Sequence, residues 1–488
     1  MKKLTALIVL ALFAGICYAQ TIDLSLTSPS PQLQDADVGA MAFADIDNDG
    51  DNDLLISGKG GPIKTTLYRN DGQGNLSEIM GTPFDNLFAG TVGFEDIDND
   101  GDQDVLMTGN TSSPQATAKL YKNDGLGNFT LEVNTPFEPS SGGDFDFGDI
   151  DNDGDKDIIL TGYNAAGNAF TTLYSNNGSG TFTAVIGAIF EDQKGGSVAF
   201  ADLDNDSDLD VLLVGQDNSG NPSSKMYANN GTGSFTLVAN TAFENCAGGD
   251  FTIGDTDNDG DLDVFICGVN GSGAYLSNLY LNNGTGSFSL VSGTPFQPTS
   301  VGTTSFADFD GDGDIDLLLA GSGVGGLITN SIIANIYENQ GSNSFVLADS
   351  LTGAYLSSTA IGDIDGDQDL DLVIGGTSTG FPVRGTRMYT NNAQVALSIE
   401  NELEGNVESN LTSSLIFPNP TRGTFHINME KFAPSRIDII DRTGKLVYSD
   451  PHASIDNTQV SLNVPSGMYF IRLSTPHKTL VQKLIVKQ

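Results

Sequence analysis

Phe43-Ala44-Asp45-Ile46-Asp47-Asn48-Asp49-Gly50-Asp51-Asn52-Asp53-Leu54-Leu55-Ile56-Ser57-Gly58 holds the organisation of the whole chain in sixteen residues. Five Asp alternate through nine positions, and the same Asp-x-Asp-x-Asp-x-Asp-x-Asp run begins at Asp45, Asp96, Asp149, Asp202, Asp255, Asp308 and Asp363. The spacings are 51, 53, 53, 53, 53 and 55 residues, a fixed-period repeat that has to be settled before any local reading. Two and four residues ahead of each run sit side chains of one face, such as Met41 and Phe43, Phe145 and Phe147, or Thr304 and Phe306. That period of two predicts a first strand. The apolar run behind the loop, such as Leu54-Leu55-Ile56 or Val211-Leu212-Leu213-Val214, predicts a strand buried on both faces.

A third strand is expected around Tyr68, Tyr121, Tyr174, Tyr227, Tyr280, Tyr337 and Tyr389, and turns such as Asp124-Gly125-Leu126-Gly127 lead into a fourth. Four antiparallel strands per repeat make a propeller blade, so the chain reads as all-β, a seven-bladed β-propeller over residues 20–395. The seventh copy has no fourth strand of its own. Thr21-Ile22-Asp23-Leu24-Ser25-Leu26 has a strand pattern and is expected to complete that blade, removing the open edge of the array. The recurring aromatics Phe84, Phe137, Phe243 and Phe296 read as packing between blades, because each occupies the same place in its repeat.

The loops are the candidate metal centres. The first offers Asp45, Asp47, Asp49, Asp51 and Asp53; the second Asp96, Asp98, Asp100, Asp102 and Asp104; the third Asp149, Asp151, Asp153, Asp155 and Asp157. The fourth offers Asp202, Asp204, Asp206, Asp208 and Asp210, and the fifth Asp255, Asp257, Asp259, Asp261 and Asp263. Asp308, Asp310, Asp312, Asp314 and Asp316 form the sixth, and Asp363, Asp365, Asp367, Asp369 and Asp371 the seventh. Carboxylates at positions 1, 3 and 5 converge, Gly at position 6 permits a sharp turn, and position 7 can add its backbone carbonyl, as in the first half of an EF-hand loop. The all-oxygen set selects Ca²⁺ over metals that want N or S ligands, and up to seven structural Ca²⁺ are expected. Without a cation, five carboxylates within nine residues would repel one another strongly. Ser207 and Gln368 stand where the other five loops have Gly, and a side chain at that turn resists φ > 0, so these two sites are expected to be weaker.

Composition agrees. The 488-residue chain has 59 Gly, no Trp and a formal charge of −42, which excludes nucleic acid as a partner because phosphate needs a basic surface. Lys2 and Lys3, the apolar stretch Leu4 to Ile16 and the Cys17-Tyr18-Ala19 cleavage site predict a signal peptide over residues 1–19, and no later stretch is apolar enough to span a membrane. Cys246 and Cys267 remain after cleavage; a hairpin would bring both to one face, so a bridge between them is one of two outcomes the sequence allows.

The copies resemble FG-GAP/VCBS-type repeats, the family that includes the propeller of integrin α subunits, on the motif Phe-x-Asp-x-Asp-x-Asp-Gly at Phe43 to Gly50. The resemblance implies Ca²⁺ loops between the first two strands of each blade and a rigid scaffold, commonly for glycans or proteins, in surface and secreted proteins. It carries no ligand across, since propeller ligands bind in variable loops.

A polar linker is read over 396–413, and the composition then changes: from Ser414 to the end nine Lys/Arg stand against five Asp/Glu, with His426, His452 and His477. About seven short alternating strands predict a small β-sandwich over 414–488. Phe417-Pro418-Asn419-Pro420-Thr421-x-Gly423, Asp441-Arg442-Thr443-Gly444-Lys445, Gly467-Met468-Tyr469-Phe470-Ile471 and Lys483-Leu484-Ile485-Val486-Lys487 resemble the type A C-terminal sorting domain of the type IX secretion pathway of the Bacteroidetes. That resemblance implies outer-membrane secretion machinery as a partner of 414–488, and a protein released or held at the outer surface of a Gram-negative cell.

Three functions remain open on the sequence. One is a Ca²⁺-stiffened binding or adhesion scaffold for a glycan or protein, and another is a structural surface-layer component. The third is an enzyme acting on polysaccharide, for which an acid pair such as Asp144 and Asp146 could serve. The propeller has no His, so no Ser-His-Asp set can form within it.

Overall fold

The computed structural model describes residues 22–27, 33–113, 115–324, 331–378 and 385–392, and in the tail 416–417, 424–427, 436–441, 446–450, 459–462, 464, 467–474 and 479–486. The segments read as signal peptide and linker, and the Pro418–Gly423 part of the first tail motif, lie outside the described residues. Every element described is a strand, and none of the described residues forms a helix long and apolar enough to cross a membrane. The chain divides into two units, Met1–Val395 and Ala396–Gln488.

The first unit is a β-propeller. In its first repeat the strands Ala40–Ala44, Asp53–Lys59, Ile63–Arg69 and Ser77–Ile79 pair antiparallel in chain order, with Phe43 opposite Leu54 and Leu54 opposite Tyr68. The second strand is buried on both faces because a neighbouring repeat covers each. Leu55 packs with Val105 and Met107 of the second repeat, whereas Leu54 and Ile56 pack with Val373 and Met388 of the seventh. Leu54, Leu55 and Ile56 are all fully buried, each worth about 1.5–3 kcal/mol of hydrophobic stabilisation.

Repeats one to four and seven each form a separate four-stranded sheet. Repeats five and six instead merge into one nine-stranded sheet, so five blades stand alone where the sequence predicted seven. The cause is local. The first strand of repeat six runs back over Thr299–Ala307, and its leading residue pairs with Leu276 in the third strand of repeat five.

Leu24–Leu26 closes the seventh repeat as expected, pairing antiparallel with Arg387–Asn391 through Leu24 opposite Asn391 and Leu26 opposite Tyr389. The aromatics pack as read from the repeat: Phe84 meets Tyr121 edge-on at 5.0 Å between centroids, and Phe137 meets Tyr174 at 5.1 Å. Phe243 and Phe296 contact Tyr280 and Tyr337 in the same way, both at 5.2 Å. The residues at the entry to the first strands line an open cavity of about 320 Å³, largely with Gly pairs. A side chain is excluded there by close approach, since a Cβ on Gly196 would lie 1.9 Å from the Val214 carbonyl oxygen.

Cys246 and Cys267 are both free and buried. The bridge is ruled out by register: Cys246 stands opposite Asn270, and Cys267 stands three residues away in that strand. Their side chains enter different cores, Cys246 with Leu212 and Tyr280, Cys267 with Phe265 and Leu319.

In the second unit, Ile416–Phe417, Thr424–Ile427 and Gln459–Ser461 form one sheet, while Arg436–Asp441, Leu446–Asp450, Gly467–Ser474 and Thr479–Val486 form another. Phe425 and Val460 of the first share a buried cluster with Ile437, Ile439, Ile471 and Leu484 of the second.

Candidate metal centres

Each Asp loop joins the first strand of its repeat to the second, so the strand pair fixes both of its ends. Within the loop, backbone N–H groups orient the carboxylates. Position 1 accepts through Oδ2 from the N–H of position 6 in all seven loops, at 2.9–3.0 Å, as Asp45 does from Gly50 and Asp363 from Gln368. Position 5 accepts from the N–H two residues on, as Asp49 does from Asp51 at 3.1 Å. The turn needs φ > 0 at position 6, and Ser207 and Gln368 adopt it as well, at 73° and 80°. Those two loops keep the fold of the others at the cost of a left-handed non-Gly residue.

Position 9 does a different job. Its carboxylate is buried and accepts through Oδ1 from an Asn N–H at the end of the third strand in every repeat, as Asp53 does from Asn70 at 2.8 Å and Asp371 from Asn391 at 2.7 Å. Oδ2 accepts from the N–H of position 2 in six repeats, as at Ile46 and Leu203. Burial pushes these carboxyls up, to about 6 at Asp53, about 7 at Asp210 and about 8 at Asp316.

The same Asn residues carry a contact that the sequence reading missed. Each donates from Nδ2 to the position-2 carbonyl of the preceding repeat: Asn123 to Ile46 at 2.8 Å, Asn176 to Ile97 at 2.8 Å, and, across the seam, Asn70 to Ile364 at 2.8 Å. The signal was present, because Tyr-x-Asn occurs in all seven copies, from Tyr68-Arg69-Asn70 to Tyr389-Thr390-Asn391.

Position 3 is the informative one. Oδ1 of Asp47, Asp98, Asp204, Asp257 and Asp365 and Oδ2 of Asp310 are buried with no hydrogen-bond partner. A buried unpaired carboxylate oxygen is costly, so the same orphan in six of seven loops calls for a group to fill it. Oxygens of positions 1 and 3, with position 5 or 9, lie within 4.8 Å of one another, as in Asp45, Asp47 and Asp53 or Asp96, Asp98 and Asp100. Two oxygens on opposite sides of one Ca²⁺ are about 4.6–5.2 Å apart. The donor set is therefore the size and chemistry of a hard divalent cation site. Without the cation the carboxylates resist ionisation: burial, and then the charge of Asp312, push Asp310 up to about 7. In the first two loops a basic side chain also sits on position 3, Arg69 on Asp47 at 2.7 Å and Lys122 on Asp98 at 2.9 Å. Position 7 points elsewhere: Asp102 and Asp155 accept from Asn side chains of the preceding loop.

Asp144 and Asp146 do not converge on a substrate-sized space. Asp144 directly precedes, and Asp146 lies in, the first strand of repeat three, Phe145–Gly148, and both accept from backbone N–H groups of repeat four, Asp144 from Val198 at 3.4 Å and Asp146 from Phe200 at 2.7 Å. Asp250 does the same two repeats on, taking Thr304 N–H at 3.0 Å and the Ser197 hydroxyl at 2.6 Å. Burial, with the charge of Asp250, pushes Asp144 up to about 7, and burial pushes Asp146 up to about 6.

Six overlapping segments, 45–107, 96–160, 149–213, 205–266, 255–319 and 308–374, match the FG-GAP-like repeat. The chain belongs to the FG-GAP-like repeat family. Each segment of this FG-GAP-like protein runs from one Asp loop into or past the next, so the six together touch all seven loops. Residues 415–487 match the secretion system C-terminal sorting domain, so the FG-GAP-like propeller carries a secretion tail. No curated protein sequence matches at a significant level. Among solved structures, the chain is similar to the BP39L lectin from Burkholderia pseudomallei, at 10% identity and a TM-score of 0.44 over 73% of this chain and 99% of that one. It is also similar to the six-bladed, fucose-recognising lectin of Aleuria aurantia, at 9% identity and a TM-score of 0.35 over 64% and 96%. A third likeness is to the V. cholerae biofilm matrix protein Bap1, at 13% identity and a TM-score of 0.27 over 96% and 71%.

Proposed function

We propose that this FG-GAP-like protein is a seven-bladed, Ca²⁺-stiffened binding scaffold for a glycan or protein ligand, exported through its sorting tail to the outer surface or the medium of a Bacteroidetes-type cell. The observation that carries the calcium reading is the position-3 carboxylate oxygen, buried and unpartnered in six of the seven loops. Asp at positions 1, 3 and 5 would supply side-chain oxygens, position 7 its main-chain carbonyl, and the bound ion would neutralise the crowded carboxylates. Seven divalent ions would return fourteen charges to a chain that carries −42. The nine-stranded sheet counts as two blades in this reading, because each half repeats the strand order and the Tyr-x-Asn contact of the separate sheets. Two sheets around one core support a sandwich for the tail.

A scaffold of this kind binds without turnover. The test is a glycan and protein binding screen of the exported protein in Ca²⁺ and in excess chelator. Retention of a ligand in Ca²⁺ and its loss in chelator is the expected result. Cleavage of a polysaccharide in the same screen would replace the scaffold reading with that of an enzyme.

A further inference from the structure

Position 4 of the Asp loop lies between two of the carboxylates read as ligands, and its backbone is left-handed throughout. Five loops place Asn there, with φ of 59–60° at Asn48, Asn99, Asn152, Asn205 and Asn258, and two place Gly, with φ of 71° at Gly311 and 79° at Gly366. Glycine takes this conformation with no steric cost, so the backbone by itself does not call for asparagine. The side chains supply the reason. Each Asn donates from Nδ2 to the position-7 carboxylate of the next loop: Asn48 to Asp102, Asn99 to Asp155 and Asn152 to Asp208, all at 2.9 Å, then Asn205 to Asp261 and Asn258 to Asp314, both at 2.5 Å. The same acceptor atom is packed against the turn between the third and fourth strands, where a Cβ on Gly125 would lie 2.5 Å from Oδ1 of Asp102.

Position 7 is the residue whose carbonyl would complete the cation's shell. Resting on the calcium reading above, we infer that these five asparagines couple the sites, so that loops one to six fill as a linked series while the seventh fills on its own. Closure of one loop around its ion fixes position 4 and holds Nδ2 where it pins position 7 of the next loop. The next ion then orders less chain as it binds, which is positive coupling between neighbouring sites. Gly311 and Gly366 have no side chain to extend the series into or out of the seventh loop, so the break falls on both sides of the repeat that also holds the ring-closing strand Leu24–Leu26. Asparagine is a positioning residue here and ligates nothing.

The test is a calorimetric Ca²⁺ titration of the exported full chain, alone and as Asn152→Gly, which keeps the left-handed backbone and cuts the series in the middle. The unaltered protein is expected to show a class of six sites with a Hill coefficient above 1 beside one independent site. Asn152→Gly should lower the Hill coefficient and raise half-saturation by roughly three- to tenfold, the scale of one ordinary net hydrogen bond. Its melting point in chelator should stay where it was, because a purely structural role would move that value too. Asn258→Gly repeats the measurement at another link, and Gly311→Asn should recruit the seventh loop into the cooperative class. Sites that are identical and independent in the unaltered protein, or isotherms unchanged by both Asn→Gly variants, overturn the coupling while leaving the calcium reading intact. Absence of any Ca²⁺ binding overturns both.

Discussion

The Asp loops and the aspartates at the starts of first strands, Asp144, Asp146 and Asp250, use the same residue and treat it in opposite ways. At the starts of the first strands Asp144, Asp146 and Asp250 accept from backbone N–H groups of the following repeat, so the protein itself satisfies the carboxylates. At the loops, positions 1 and 5 are oriented by backbone N–H groups but position 3 keeps a buried oxygen with no partner. Satisfaction, rather than acidity or burial, separates the two sets of aspartates. Position 9 falls on the structural side of that line in six repeats even though it lies within the loop, and only Asp104 Oδ2 among these carboxylates is left without a partner.

The largest effect that tests this contrast is removal of the cation. At a tenfold excess of Ca²⁺ over Kd each occupied loop adds about 1.4 kcal/mol to the native state, on the order of 10 kcal/mol for seven. Excess chelator is therefore expected to lower Tm by on the order of 10 °C, measured by scanning calorimetry. An unchanged Tm would put the loops in the same class as Asp144, Asp146 and Asp250.

A smaller effect, insensitive to Ca²⁺, is expected at position 9. Asp210→Ala leaves the buried N–H groups of Asn229 and Leu203 without their acceptor, costing roughly 2–5 kcal/mol. Denaturant unfolding in chelator checks it: the loss should persist there, and a loss confined to Ca²⁺ would make position 9 chiefly a ligand.

The smallest effect belongs to Asp144 and appears as a pH dependence. Asp144 is faced by the charges of Asp250 and Asp146, the Thr91 hydroxyl and the Val198 N–H, and its folded pKa of about 7 lies above the ordinary carboxyl value of 3.8. The native state thus holds the proton more tightly than the unfolded chain, and this contribution to stability is full below about pH 4 and lost as pH rises through about 7. In saturating Ca²⁺, Tm should fall between pH 5.5 and 7.5, and Asp144→Asn should flatten that fall by about one or two degrees. Equal slopes for the two proteins would mean that Asp144 ionises freely in the fold.

Cysteine pairing marks the limit of reading by distance along the chain. A hairpin placed Cys246 and Cys267 near each other, and they are near; the register sets Cys246 opposite Asn270 and turns the two thiols into separate cores. Burial pushes the Cys246 thiol up to about 12, so it has little thiolate with which to react.

The period of the Asp runs, the alternation before them and the apolar strand after them determined the four-stranded repeat, because each is a local pattern whose meaning does not depend on distant residues. The ring-closing role of Leu24–Leu26 was legible for the same reason, as a strand pattern with no partner in its own repeat. The ligand types of the loops could also be read locally, since nine consecutive residues contain them. Tertiary structure alone decided which aspartates are already satisfied. That depends on Asn70 meeting Ile364 and Asn48 meeting Asp102, contacts between repeats 54 to 294 residues apart. It also decided that repeats five and six share one sheet, because a single pair between Leu276 and Thr299 depends on how two blades lean together. Hydrogen bonds of that kind are set by the approach of one repeat to the next, which no periodicity within a repeat encodes.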